Sequence, residues 1–393
     1  MATITLDYGA DEPLEIEMAE GSLVFESRGP EGVQGEAAGR LVLESLASPA
    51  HGPPLAAHVV PGDRVAVALS GAVPTAAAVV AAVVERLGAA GVEADAIHVL
   101  HAGGNAAAAP GCVEFDPTVD AATSYLVADE AGHPLYMARE LVDADVVVAV
   151  GGWGWNATLG GRALEGELWP AFTRAAAGAE LTRDLARRGR LALHDWKARQ
   201  HDIVWQLGVC ASLRLVAGRQ GSLHAAFFGL PDEAGRRARA AARAWCPVID
   251  EPVEVVVASL AEPTSFAGVI RGVAAAARVT QPGGTICLAC RAETPPGIVF
   301  QRWRQGAPLE RLVHEAVGTR DRALVADALE TRLFARALGD RRLVLLSDID
   351  EAAVEELEFG FADSPDTIAR LAERADSVAV LHEADRMLPQ AGV

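Results

Sequence analysis

Lysine is almost missing from this chain: Lys197 is the only one in 393 residues, and every other basic side chain is arginine. A cofactor tethered through lysine therefore has one place to attach. Cysteine is also sparse. The five thiols (Cys112, Cys210, Cys246, Cys287, Cys290) are odd in number and scattered, which argues against a disulfide framework and fits a reducing compartment. Cys287 and Cys290 form a CxxC in "GGTICLAC". That stretch reads as a buried strand, where residues three apart point to opposite faces, so structural thiols are expected rather than a metal knuckle. Although 51% of residues are hydrophobic, no unbroken apolar run reaches the roughly 18 residues of a membrane span, and a soluble protein is expected. The N-terminus "MATITLDYGADEPLEIEMAEG" lacks both the basic start and the apolar block of a secretion signal, so a cytoplasmic location is expected. With a net charge of -19 and no basic stripe, the chain is a poor partner for nucleic acid. GxGxxG, Walker and GxSxG sequences are absent, which removes the phosphate fingerprints and the serine-hydrolase elbow.

What is present is a repeated unit. "DRVAVALSG", "AIHVLHAGG" and "ADVVVAVGGWG" are apolar runs ending in glycine, and "PTAAAVVAAVVERLGAAGV" is a helix between the first two. Strand, glycine loop and helix in succession predict a mostly parallel sheet flanked by helices, with the loops at 71, 103–104 and 151–161 gathered on one rim. "TITLDYGADEPLEIEM" predicts an opening hairpin, and residues 19–60 read as an irregular approach rich in Gly, Pro and Ala. Farther on, "DWKARQHDIVWQLGV" predicts a helix, "SLRLVAG" a strand and "PDEAGRRARAAARAW" a basic helix. A second series follows: strand "VEVVVASL", helix "FAGVIRGVAAAARV", strand "GGTICLACRA", two helices between 305 and 339, strand "RRLVLLSDI", helix "SPDTIARLAERA" and strand "SVAVLHE". The expectation is a two-lobed α/β protein, residues 1–246 and 247–393, with a ligand cleft between the lobes.

The third glycine loop, "GGWGWNATLGG", contains no His, Cys, Asp, Glu, Lys or Arg. Trp153 and Trp155 either stack on a flat ligand or plug the gap between lobes. Backbone N–H groups, indole N–H groups and the Asn156 amide can bind a ligand but are weak tools for proton transfer or metal capture. Of the histidines, His101 lies nearest a rim and is either a satisfied structural side chain or a cleft residue. His194 and His201, seven apart in "LALHDWKARQHD" beside Asp195 and Asp202, share a helix face if the helix starts early enough. Solvated helix charges are the competing reading. Asp348, after its strand, is a rim residue or a helix N-cap.

In order and spacing these pieces resemble the nickel-dependent lactate racemase family of 2-hydroxyacid racemases and epimerases, over nearly the whole chain. "GDRVAVALSGAVPTAAAVVAAVVERLGAAGV" lies where that family has a strand, a Ser-Asp-x-Thr-Arg-Pro loop and a helix. "IHVLHAGGN" resembles its strand with a Thr-Gly-x-His-Arg loop, and "DADVVVAVGGWGWNATLGGRA" its stretch ending in Gly-Gly-Arg-Lys. "GVIRGVAAAARVTQPGGTI" and "RRLVLLSDIDEAAVEE" extend the likeness into the second lobe. The resemblance implies a nickel pincer nucleotide tethered to lysine, which takes a hydride from the α-carbon while histidines move the hydroxyl proton.

Carried over residue by residue, it implies cofactor-binding positions at Ser70, Gly71, Gly103, Gly104, Asn105, Trp153, Trp155, Asn156, Gly160, Gly161, Arg162 and Arg271. Several depart from the family. Gly71 replaces an aspartate, Asn105 stands near a histidine position, Trp153 near a metal histidine, and Ala163 replaces the lysine. Arg271 keeps the charge of a phosphate-binding lysine. The expectation is a divergent relative with no metal ligand set and no tethered pincer, holding a small anionic or nucleotide-like ligand, as a homo-oligomer or beside an active relative. The alternative is an active racemase or epimerase with relocated groups from His101, His194, His201 and Lys197. A nickel-free enzyme using Asp202, His201 or Asp348 is a third class.

Overall fold

The computed structural model describes residues 2–9, 13–18, 21–49, 51–103, 109–128, 132–163 and 167–392. Its first half contains β1 (Ala2–Leu6), β2 (Leu14–Met18), β3 (Leu23–Ser27), α1 (Gly35–Ala47), β4 (Val65–Ser70), α2 (Ala76–Ala89), β5 (Ile97–Ala102) and β6 (Cys112–Glu114). Then come β7 (Thr123–Ala128), β8 (Pro134–Ala138), α3 (Arg139–Val142), β9 (Val146–Gly152), β10 (Trp155–Asn156), β11 (Gly161–Arg162), α4 (Leu168–Ala171), α5 (Ala175–Arg188), α6 (Arg190–Gln206), β12 (Ala211–Ala217), β13 (Leu223–Gly229) and α7 (Pro231–Ala241). A six-stranded sheet runs in the order β13-β12-β9-β4-β5-β6, parallel except for β13.

Strand β4 shows why the sheet is covered on both sides. All six of its residues are buried; Val65, Val67 and Leu69 pack with α1 and α2, while Ala66 and Ala68 pack with the layer of α4, α5 and α6. Period-two alternation sends the larger side chains one way and the small ones the other.

The second half contains β14 (Val248–Ile249), β15 (Val253–Ser259), α8 (Phe266–Ala277), β16 (Thr280–Ala289), α9 (Ile298–Arg304), α10 (Leu309–Val317), α11 (Arg322–Leu338), β17 (Arg342–Leu346), α12 (Glu351–Glu356), β18 (Gly360–Phe361), α13 (Pro365–Glu373), β19 (Val378–Leu381) and β20 (Gln390–Ala391). Its sheet, β18-β17-β16-β15-β19-β3, is parallel throughout. Val256 and Ala258 of β15 face α8 and α11, whereas Val255 and Val257 face the β1–β2 hairpin and α13. Cys287 and Cys290 are buried in cores on opposite faces of this sheet, as the strand spacing requires.

The doubly flanked α/β architecture is the one read from the sequence. One local expectation is corrected, and several elements are added to those expected. Residues 19–60 are not irregular: β3 completes the edge of the second sheet, and α1 buries Ala38, Val42 and Leu46 four apart on one face. Short apolar side chains between glycines and prolines had hidden that stripe. The two helices expected between 305 and 339 are α10 and α11, and α9 precedes them. The β7–β8 hairpin and β13 were not foreseen. β3 also comes from the N-terminal side of residue 246, so the second sheet draws on both ends of the chain. Among the described residues no helix is long and apolar enough to cross a membrane.

Candidate functional site

The first rim forms as the alternation predicts. Ser70 at the end of β4 is level with Ala102 of β5 and Gly151 of β9, so the loops that follow all leave the carboxyl edge together. Ser70 is buried, and Gly71 and Gly103 turn the chain with φ of +70 and +67, the left-handed region open to glycine. Gly152 is required for a different reason: a Cβ there would sit 2.3 Å from the carbonyl oxygen of Ala72. Gly104 and Asn105 lie outside the described residues.

The tryptophan loop is a small hairpin in which Trp155 pairs with Arg162 and Asn156 with Gly161. The Trp153 N–H donates to Leu215 O at 2.7 Å and the Ala163 N–H to Gly154 O at 3.0 Å. Asn156 Oδ1 accepts from the backbone N–H groups of Thr158 (3.0 Å) and Leu159 (3.2 Å), so its side-chain oxygen shapes the turn. Trp153 is only 5% exposed and meets Trp155 edge to face at 4.8 Å. The Trp155 Nε1–H donates to Ala242 O at 2.6 Å. Both rings pack against a core that includes Trp245 and the Ile270 and Val273 side chains of α8. They join the two halves of the molecule, and the indole N–H of Trp155 is engaged in that join.

Arg162 carries the chemistry of this hairpin. Its guanidinium lies 5.5 Å from the Trp153 ring centre and pairs with Glu167, whose other oxygen holds Arg214 Nη2 at 3.0 Å. The Gln200 amide N–H also donates to Glu167. Arg214 is the one charged residue of β12, and both it and Glu167 are buried. Burial, reinforced by Arg214, pulls Arg162 down to about 9, and burial alone pulls Arg214 to about 10. Two guanidinium groups share one carboxylate, so the cluster is cationic and short of water.

More positive charge gathers beside it. Although Lys197 is exposed on α6, desolvation and then the neighbouring Arg162, Arg239 and Arg190 hold its ammonium below the usual range. Arg190 Nη2 donates to Gly160 O at 3.1 Å. A pocket of about 190 Å³ opens at this turn between the two halves, its wall including Thr158, Gly160, Arg190, Arg278 and Arg336 and no carboxylate. Gly160, at φ +61, holds its carbonyl toward Arg190. The Arg278 Nε–H is used by Pro389 O at 2.7 Å.

The other expected residues are not drawn into one place. His101, 3% exposed at the end of β5, falls on the same strand face as Val99, which packs in the core of α1 and α2. His194 and His201 share α6, which begins early enough to carry both, and both are exposed. Arg271 on α8 lies near Asp385, whose carboxyl is raised by burial and lowered in turn by Arg386 and Arg271. It thus serves a different cluster from Arg162. Asp202 is exposed on α6, and Asp348 is exposed just beyond β17.

Sequence reasoning missed two groups. The Arg214–Glu167 pair had one visible signal, an arginine inside the apolar run "SLRLVAG". At the rim of the second sheet, His382 is buried after β19, with Nε2 2.9 Å from Glu26 Oε1, and Glu383 accepts the Gln220 N–H at 2.9 Å. Glu26, Gln220 and His382 are so far apart in sequence that only the fold brings them together. Among the described residues no group of three or more His, Cys, Asp or Glu side chains is arranged to hold a metal ion.

No protein-family model matches the chain, and no curated protein sequence does. Among solved structures it is similar to the lactate racemase apoprotein from Thermoanaerobacterium thermosaccharolyticum, with a TM-score of 0.75 and 15% identity over 99% of this chain and 100% of that one. The chain has a lactate racemase-like fold. A protein from Thermotoga maritima is similar at a TM-score of 0.61 and 14% identity, over 91% of this chain and 97% of the other.

Proposed function

We propose that this protein is a divergent relative of the lactate racemases that binds a small anion in the pocket beside Gly160, without a tethered nickel pincer. The observation that carries the reading is the excess of positive charge there in a chain of net charge -19: Arg190, Arg278 and Arg336 around one pocket, next to Lys197, Arg239 and the half-buried Arg162. Cations that repel one another at a partly dehydrated surface are stabilised by an anion, and planar guanidinium groups match carboxylate or phosphate oxygens in pairs. The chemistry assigned to the site is binding and orientation.

The residues present do not fit the tethered group that the fold resemblance implies. Ala163, at the lysine position, has no side-chain donor, and its N–H closes the hairpin. Trp153, near the metal-histidine position, is turned into the core. Lys197 sits among arginines on α6, and His194 and His201 are solvated. Racemase chemistry is accordingly altered or lost in this reading.

Nickel analysis and intact-mass measurement on protein from its native host test the first half: neither stoichiometric nickel nor a covalent adduct on Lys197 is expected, and finding both would overturn it. Calorimetric titration with inorganic phosphate and with lactate tests the second. Binding that weakens at least tenfold in an Arg190→Ala, Arg336→Ala double variant supports the pocket, and unchanged binding removes it.

A further inference from the structure

We propose that the exposed face of α6 seats a second copy of this chain, packed helix against helix about a two-fold axis running along the pair. The face is set out by the sequence. Leu191, Ala198 and Trp205 recur every seven residues, just under two turns, and so lie along one line of the helix. His194 and His201 follow three residues after Leu191 and Ala198 and flank that line on one side. Asp195 and Asp202 follow four residues after and flank it on the other. All seven are exposed, Leu191 and Trp205 at 77% and 78%, while Ala192, Trp196 and Ile203 bury the opposite face. Arg190, which lines the anion pocket, and its neighbour Lys197 lie outside this line.

Charge decides both the occupant and its orientation. When two copies of this helix run parallel about a two-fold axis, the histidine flank of each meets the aspartate flank of the other. His194 then faces Asp195 and His201 faces Asp202 across the pair, and each imidazole can donate an N–H to a carboxylate. In an antiparallel pair the flanks meet like to like, aspartate against aspartate, which costs free energy. The parallel form also sets Leu191, Ala198 and Trp205 against their own copies, the small Ala198 allowing close approach between two larger apolar contacts. Asp195 already holds Arg188 Nη1 at 2.7 Å, so His201 with Asp202 is the less encumbered contact.

One helix pair of this length buries less than the about 800 Å² per partner of a standard interface, so association in the micromolar range is expected. Sedimentation velocity of the full chain from low to high micromolar concentration should show the average mass rising from 41.0 kDa toward twice that value. Leu191→Glu and Trp205→Glu should each raise the dissociation constant at least tenfold, with far-UV circular dichroism unchanged because both side chains are solvent-facing. A mass that stays monomeric, or a dimer indifferent to both substitutions, overturns the proposal. Orientation is read separately: Leu191→Cys in a Cys210→Ser background should cross-link to its own copy on mild oxidation. Cross-linking only when Leu191→Cys is mixed with Trp205→Cys would establish the antiparallel pair and overturn the parallel one.

Discussion

Arg214 holds Glu167 at 3.0 Å from the middle of an apolar strand, with both side chains buried and Arg162 on the other oxygen of the same carboxylate. Removing the shared carboxylate would leave the buried Arg214 and the half-buried Arg162 without their common counter-ion. Glu167→Gln is therefore expected to lose about 3–5 kcal/mol of stability, the usual cost of breaking a buried pair from one side. Urea denaturation measures it, and a loss below about 1 kcal/mol, typical of exposed pairs, would show that solvent reaches the cluster.

A second prediction concerns acid. Burial and Arg28 hold the His382 imidazole below its ordinary value, against the opposing pull of Glu26 and Asp7. Because its folded value lies below its unfolded one, the unfolded chain takes up this proton more readily. The associated destabilisation is absent well above the ordinary histidine value and grows as pH falls through it. The wild type should therefore lose more stability between pH 7 and 5 than His382→Gln, in paired denaturation curves. Parallel curves would remove His382 as a contributor.

The thiols should separate cleanly. Burial raises Cys287 and Cys290 to about 12 and Cys246 to about 11, whereas Cys210 is exposed with Sγ 3.2 Å from His58 Nδ1. A thiol reagent at mild pH should label Cys210 first, and Cys287 and Cys290 only when denaturant opens the sheet. Peptide mass spectrometry after timed labelling reads the order. Early modification of Cys287 or Cys290 would contradict their burial.

Gly152→Ala tests the rim itself. The new methyl would press on the Ala72 carbonyl, a backbone atom that cannot rotate away. A cost of about 1–3 kcal/mol is expected, as for other overpacked sites, read as a lower denaturation midpoint. Gly154→Ala in the same loop meets nothing within 4 Å and serves as the control.

Much of this molecule was legible from strand and loop periodicity. β4, β5 and β9 announced themselves as apolar runs closed by glycine, and their parallel order followed. The CxxC resolved into two opposite faces by counting alone. α1 did not, because Ala38, Val42 and Leu46 make a narrow stripe amid glycine and proline. The candidate site was legible only in part. Gly160 and Arg162 stood out from the loop, but Arg190 of α6, Arg336 of α11 and Arg278 just after α8 meet only through the way the two sheets dock. Trp153 and Trp155 had two admissible roles, and only the position of α8 and Trp245 shows that they fill the join.

Strand β3 lies beside β19, with Leu23 level with Val378. On the ribosome it is made roughly 350 residues before its partner, so the edge that will pair with β19 must stay unsatisfied through most of synthesis. Its sequence, LVFES, places a charged glutamate within that waiting segment, the kind of side chain that discourages a stray strand from attaching first.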